Sequence, residues 1–391
     1  MTREFCDMLY LMSWNYKNRL TDDKHSYDVE GIRKLSISQG VWTLVFPELE
    51  KYADLSAYQN EIVKALTYSI RQSTFQLGII SDLNAAGLRA CLLKGAAIAA
   101  AYPDPPSRVS ADTDILIEPE KEPEVIEFLK ARGFSVKPRE KNDHHFKAYH
   151  PIGGVLEGHV RLYSIPTEKV LLDGASLYSE EWSMENIDGY DIPILGLNDG
   201  LIYLTAHYIK HLVNEGGGVR QMLDLLLYIE RYKDKLDFER YDRLLKQLRY
   251  DKLVDVIKTI GAKYWGFDYP IRYEELAEKL LTDSEEGGIF GYDTDSREGF
   301  YKAYCDRRAK APGTKLMVFI KGERDWKKRL FPSRKMLCAE GFKGAENRAL
   351  YPYYFILHYI KKFKDRKHQA KVGNKFIDER LDLMKDMEMI T

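Results

Sequence analysis

Three carboxylates in this sequence are spaced so that they can share a ligand. Asp112 and Asp114 stand two apart in Asp112-Thr113-Asp114-Ile115-Leu116-Ile117, an apolar, β-branched run that predicts a strand. Side chains alternate along a strand, so both aspartates point to one face, with roughly 7 Å between their α-carbons, and Thr113 to the other. In a second strand, predicted over Val155 to Tyr163, the same alternation puts Val155, Glu157, His159 and Arg161 on one face and Leu156, Val160 and Leu162 on the packed face. If the two strands are neighbours, Asp112, Asp114 and Glu157 meet. Three carboxylates in a concave site repel one another unless a divalent cation neutralises them, and oxygen ligands suit magnesium or manganese. Sets of this kind hold two ions about 3.5 to 4 Å apart for in-line displacement at phosphorus.

The elements that must position these groups follow in order. Apolar residues recur at helical spacing from Tyr58 to Ala86, with Ile62, Leu66, Ile70, Ile79 and Leu83 as the stripe and Gly87 as the stop. Ala90-Cys91-Leu92-Leu93 then reads as a strand, Lys94-Gly95 as a tight turn, and Ala96 to Ala101 as a short helix ended by Pro103. Glycine lets the backbone approach a ligand at that turn, and Lys94 and Arg108 bring positive charge suited to phosphate oxygens. The other reading of Arg108 is a salt bridge to a loop acid such as Asp104. A helix starting at Pro123 and stopping at Gly133 lies against the sheet. His145–Tyr149 and the Glu157 strand are predicted antiparallel neighbours joined through Pro151-Ile152-Gly153-Gly154. Beyond Asn198 the pattern is helical, first Asp199 to Leu212 and then Arg220 to Tyr232, while Asp283 to Gly288 and Lys310 to Gly313 read as exposed connections.

The expected architecture is α/β (α+β): a helical segment over residues 1–86, an α/β core over 87–195 with a small mixed sheet flanked by helices, and a large α-helical domain over 196–391. His207 and His211, one helical turn apart, lack the glutamate of a zinc-peptidase motif. With Arg220 and Asp224 they form either a polar wall of the cleft or a structural network. His159 either orients Glu157 or lines the cleft. His144, His145 and His150 read as surface residues near a hairpin. The basic run Lys321 to Lys335 reads as a solvated helix end, and Tyr351 to Lys375 as an amphipathic helix with a basic outer face, its peripheral contact with a membrane being the weaker alternative.

Lys94-Gly95-Ala96-Ala97, Tyr102-Pro103, Arg108, the Asp112–Ile117 strand, Gly133-Phe134, Glu157-Gly158-His159, then His207, His211, Arg220 and Asp224, and Leu330-Phe331-Pro332-Ser333, together resemble one family. It is the bacterial nucleotidyltransferase family 5, within the DNA polymerase β-like nucleotidyltransferase superfamily. The resemblance spans residues 30 to 360 as an order of elements. It implies that Asp112 and Asp114 bind the metal, that Glu157 is the third carboxylate and that Lys94-Gly95 contacts phosphate. Where the superfamily has Gly-Ser at the turn, this chain has Gly95-Ala96, so a hydroxyl for phosphate is missing.

Of 391 residues, 45% are hydrophobic and 30% charged, the balance of a folded chain. Lys and Arg number 59 against 60 Asp and Glu, so there is no excess positive field for duplex nucleic acid, and no stable nucleic-acid partner is expected. No apolar run approaches the roughly 20 residues of a membrane span. The N-terminus lacks the basic-then-apolar order of a secretion signal, and the cytoplasm is the expected location. Cys6, Cys91, Cys305 and Cys338 have no paired spacing and read as unlinked thiols. Two functions stay open. One is transfer of a nucleoside monophosphate from a nucleoside triphosphate to a small-molecule or protein hydroxyl with Mg2+ or Mn2+; the other is a nucleotide-binding regulatory or assembly module that has lost turnover.

Overall fold

The computed structural model describes residues 1–13, 25–110, 112–139, 143–152, 154–172, 181–214, 216–288, 292, 300–301, 303–305, 307–308 and 376–390. Lys310–Gly313, the basic run from Lys321, Leu330–Ser333, Cys338 and the segment Tyr351–Lys375 lie outside these residues.

Three helices, α1 (Arg3–Leu11), α2 (Val29–Ser38) and α3 (Trp42–Leu49), bury Phe5, Met8, Ile32, Trp42 and Phe46 in a large helical core. The long helix α4 (Gln59–Ala85) follows, and its C-terminal half lays Leu77, Ile80 and Leu83 on the sheet. Each such side chain contributes roughly 1.5–3 kcal/mol through burial. In its middle the predicted stripe gives way: Ile70 is 52% exposed, while Ser69, Gln72 and Gln76 are buried. These residues face a cavity of about 500 Å³, bordered also by Gly95, Ala96 and Arg108, instead of the sheet.

The sheet starts with β1 (Ala90–Leu92), the turn at Lys94-Gly95 and α5 (Ala96–Ala99), and returns as β2 (Asp112–Ile117), antiparallel to β1. Helix α6 (Glu122–Ala131) places Val125 and Leu129 on the sheet before β3 (Ser135–Lys137), β4 (His145–His150) and β5 (Gly154–His159). After α7 (Ile165–Leu172) comes a hairpin absent from the sequence reading, β6 (Ser183–Ile187) and β7 (Tyr190–Ile194). Its signal is Asp188-Gly189, both in the left-handed region at φ 49° and 84°, the pair that a two-residue hairpin turn selects. The strand order is β3-β4-β5-β2-β1-β7-β6, a mixed seven-stranded sheet with β2 parallel to β5 and β1 parallel to β7.

Alternation divides the sheet. Thr113, Ile115, Ile117, Leu156, Phe146 and Ala148 fall on the face covered by α4 and α6, where all but Thr113 join one apolar cluster. Asp112, Asp114, Glu157 and His159 fall on the other, toward the helices α8 (Leu197–Asn214), α9 (Val219–Tyr232), α10 (Phe238–Leu248) and α11 (Asp251–Ile260). Gly158 belongs to the first face because Phe146, its register partner, fills the space above it: a Cβ at Gly158 would stand 2.2 Å from Phe146 Cζ. Gly158→Ala is therefore expected to cost about 1–3 kcal/mol by overpacking. Denaturant unfolding measures it, and a loss under about 0.5 kcal/mol, the scale of a neutral surface change, would mean that the ring moves freely.

Helix α12 (Glu274–Gly287) corrects the reading of Asp283 to Gly288 as an exposed connection. Asp283 is buried and bound by Arg380 through Nε at 2.7 Å and Nη2 at 3.1 Å, and Ser284 Oγ donates to Leu280 O, so the polar residues point inward to partners instead of out to water. Among the described residues no helix is long and apolar enough to cross a membrane. Cys91 and Cys305 are buried and Cys6 is half-buried, and none of these three is in a disulfide.

Candidate active site

Strand β2 lies beside β5 with Asp114 directly opposite Glu157 and Asp112 opposite Val155. Because the pair is parallel and the register is even, the three carboxylates share one face, and Asp114, Glu157 and His159 each bring a ligand atom within 4.8 Å of the others. His159 Nε2 lies 2.8 Å from Asp114 Oδ1 and 3.8 Å from Glu157 Oε2. Burial holds the His159 pKa down to about 4, against the pull of Glu157. The ring is neutral near pH 7, and Nε2 carries the hydrogen it donates to Asp114.

Lys94 reaches the aspartates from the turn after β1. Its Nζ is 3.2 Å from Asp112 Oδ2 and 2.8 Å from Asp114 Oδ2. The turn depends on Gly95, at φ 72° in the half of the map that favours glycine, with Gln76 Oε1 only 3.1 Å from where a Cβ would stand. Burial lowers the Lys94 pKa, opposed by Asp112 and Glu157. Burial also works against ionisation of Asp112, but Lys94, Arg220 and Arg108 outweigh it and hold that carboxyl below its usual range. Asp114 Oδ2 is buried and, despite the nearby ammonium, makes no hydrogen bond of acceptable geometry.

Glu157 is flanked from β4. Lys147, its register partner, donates to Oε1 at 2.6 Å, and His145 Nε2 is 3.6 Å from Oε2. Burial raises the Glu157 pKa, yet Lys147 and His145 more than offset this and keep it below the usual carboxylate range. His144 and His145 are thus not spectators at a surface hairpin, since their rings lie 5.3 and 5.1 Å from that of His159. The signal in the sequence was the register: antiparallel pairing of β4 with β5 sets His145 opposite His159. His150 does lie elsewhere, stacked on Phe75.

Arg108 pairs with the acid Asp224, not Asp104. Its Nε and Nη2 grip Asp224 of α9 at 2.7 and 2.8 Å, and Tyr102 Oη donates to the same carboxylate at 2.6 Å, all three side chains being buried. Arg220 donates through Nη1 to Val109 O at 2.8 Å, while its Nε has no partner. On α8, His207 and His211 lie Nε2 to Nε2 at 3.1 Å with His207 stacked on Tyr203, and burial, reinforced by His211, pushes the His207 pKa well below its usual value. The structure therefore gathers an inner group, Asp112, Asp114, Glu157, His159 and Lys94, while Asp224 and Arg220 of α9 tie to the loop before β2 and His207 and His211 pair on α8. The cavity beside Gly95 borders Arg108 and Ser110 but none of the carboxylates.

A solved structure from Paracoccidioides brasiliensis, described as the crystal structure of an antigenic nucleotidyltransferase-like protein, is similar at 17% identity over 41% of this chain and 76% of that chain, with a TM-score of 0.29. No curated protein matches. The model of a family described as uncharacterised nucleotidyltransferase matches residues 25–264, a span that holds the five inner residues and helices α8 and α9. The chain belongs to that nucleotidyltransferase family.

Proposed function

We propose that this chain transfers a nucleoside monophosphate from a nucleoside triphosphate to a hydroxyl of a small molecule or protein, using two magnesium or manganese ions. The observation that carries this reading is the register of Asp114 against Glu157 with Asp112 on the same face. The donor set fits such ions: Asp114 and Glu157 bring carboxylate oxygens together beside His159, Asp112 stands on the same face, and the buried Asp114 Oδ2 makes no hydrogen bond of acceptable geometry. Lys94 supplies between the aspartates the positive charge that a divalent ion would bring, and with an ion held there its ammonium would be available to the triphosphate.

Asp112, Asp114 and Glu157 would hold the ions, and His159, donating to Asp114, fixes that carboxylate's orientation. Bound there, divalent ions neutralise the triphosphate, favour the ionised acceptor oxygen and stabilise the leaving pyrophosphate. The acceptor oxygen bonds to the α-phosphorus as the α–β anhydride bond breaks, and pyrophosphate departs. Glu157, its pKa depressed by Lys147 and His145, is a ligand and a weak base, so the hydroxyl proton passes to water. Arg108, Tyr102 and Asp224 would brace the loop before β2 against α9, with Arg220 holding Val109 beside Asp112. The near-neutral net charge favours a small or protein acceptor over a long polyanion.

The Ala96 position, with no hydroxyl to offer phosphate, favours the second reading, a nucleotide-binding module without turnover. Thermal unfolding with each of the four common triphosphates, with and without magnesium, is expected to show stabilisation of about 2.7 kcal/mol at a hundredfold excess over Kd for the correct nucleotide, only with the metal present. No shift with any of them would end both readings. A shift with no pyrophosphate released on long incubation would select the module.

A further inference from the structure

We propose that His144, His145 and His159 form a separate cation position, selective for a nitrogen-preferring transition ion such as zinc or cobalt, beside the three carboxylates. Three independent features converge on it. Register places His145 of β4 opposite His159 of β5, and His144 immediately precedes β4. A ring nitrogen from each lies within 4.8 Å of the other two, with centroids 4.5 to 5.3 Å apart. His144 Nε2 and His145 Nδ1 are 3.3 Å apart, and two ligands on a tetrahedral zinc with bonds of about 2.0 Å stand about 3.3 Å from each other.

The plain alternative is a stack of imidazoles held by one hydrogen bond. It does not account for the placement of His159: this ring is 5% exposed, its Nε2 is committed to Asp114, and its Nδ1 makes no hydrogen bond of acceptable geometry. A carboxylate orienting an imidazole through its second nitrogen is the arrangement found behind metal-bound histidines. Imidazole nitrogens favour zinc, cobalt, nickel or copper, whereas magnesium favours oxygen, so the two adjoining donor sets sort ions by type. The proposal does not rest on nucleotidyl transfer.

The test uses the untagged full chain, stripped of metal and titrated with Co2+ in excess Mg2+, with the visible d–d absorption and equilibrium dialysis as readouts. The wild type is expected to bind Co2+ with a nitrogen-ligand spectrum. His144→Ala combined with His145→Ala should weaken binding by at least about 100-fold, beyond the loss seen for outlying partners of a metal site. Asp112→Asn alone, which leaves the Asp114 carboxylate behind His159 in place, should keep it. If the histidine variant unfolds, nitrogen superhyperfine coupling in the EPR spectrum of wild-type protein with Cu2+ gives the answer. An oxygen-only spectrum, no Co2+ bound against Mg2+, or equal affinity in the folded histidine variant overturns the proposal. Loss of nucleotide binding with Co2+ binding intact would count against the transferase reading alone.

Discussion

Asp224→Ala is expected to destabilise the protein by about 3–5 kcal/mol, because it strands a buried guanidinium. Arg108 is 6% exposed and gives both arms of its fork to Asp224, and Tyr102 donates to the same carboxylate. With the acid gone, the Arg108 charge stays in a dry environment with one long bond to Gly95 O at 3.4 Å. Replacing both partners, Arg108→Met with Asp224→Leu, should recover much of the loss, since the desolvated charge disappears with its partner. The pair also sets a pH dependence. Burial opposes ionisation of Asp224, but Arg108, Arg220 and Tyr102 hold its pKa below the ordinary 3.8. A carboxyl whose pKa is lower in the folded state contributes stability that is complete above its unfolded value and is lost as pH falls through the folded one. The contribution therefore fades below about pH 4, and Asp224→Asn should lack this part of the acid sensitivity. Chemical denaturation across that range is the measurement, and a cost under 1 kcal/mol for Asp224→Ala would show that the pair does not brace the fold.

Asp112→Asn combined with Asp114→Asn is expected to lower pyrophosphate release by on the order of a thousandfold or more. Metal ions stabilise charge in such transition states by several kcal/mol, and each 1.4 kcal/mol is about a tenfold change in rate. The substitutions keep shape but remove two of the three acidic side chains on this face. They also leave the largely buried Lys94 without its two ion-pair partners, so thermal unfolding measured beside the rate separates loss of fold from loss of chemistry. A variant that folds normally and releases pyrophosphate at the wild-type rate would detach the aspartates from the chemistry.

What the sequence disclosed follows the range of the interactions. The β1-turn-α5-β2 unit was legible because Ala90–Leu93, Gly95, the alanine run and the Asp112–Ile117 strand are each local signals. Alternation gave the faces of β2 and β5 once they were taken as neighbours, and that pairing, which joins residues 114 and 157, is a long-range fact. The parallel contact of β1 with β7 is another such fact, and with the Asp188-Gly189 turn overlooked the β6–β7 hairpin went unread. Ile70 misled because periodicity records an apolar stripe but not that a cavity lies beneath its middle. For Arg108 the sequence offers phosphate contact or a salt bridge to a loop acid such as Asp104, whereas its ion-pair partner, Asp224, lies 116 residues away on α9. Asp283 looked like a loop residue for a similar reason, its partner Arg380 being 97 residues distant.

The most direct test is label transfer. Wild-type protein is incubated with magnesium and triphosphates labelled at the α-phosphate, with small hydroxylated acceptors and with protein acceptors, including the chain itself. The label should become covalently attached to an acceptor with one pyrophosphate released per transfer, and the Asp112→Asn, Asp114→Asn protein should give neither. Equal labelling by both proteins, or bound nucleotide recovered intact from every mixture, would contradict nucleotidyl transfer at these carboxylates.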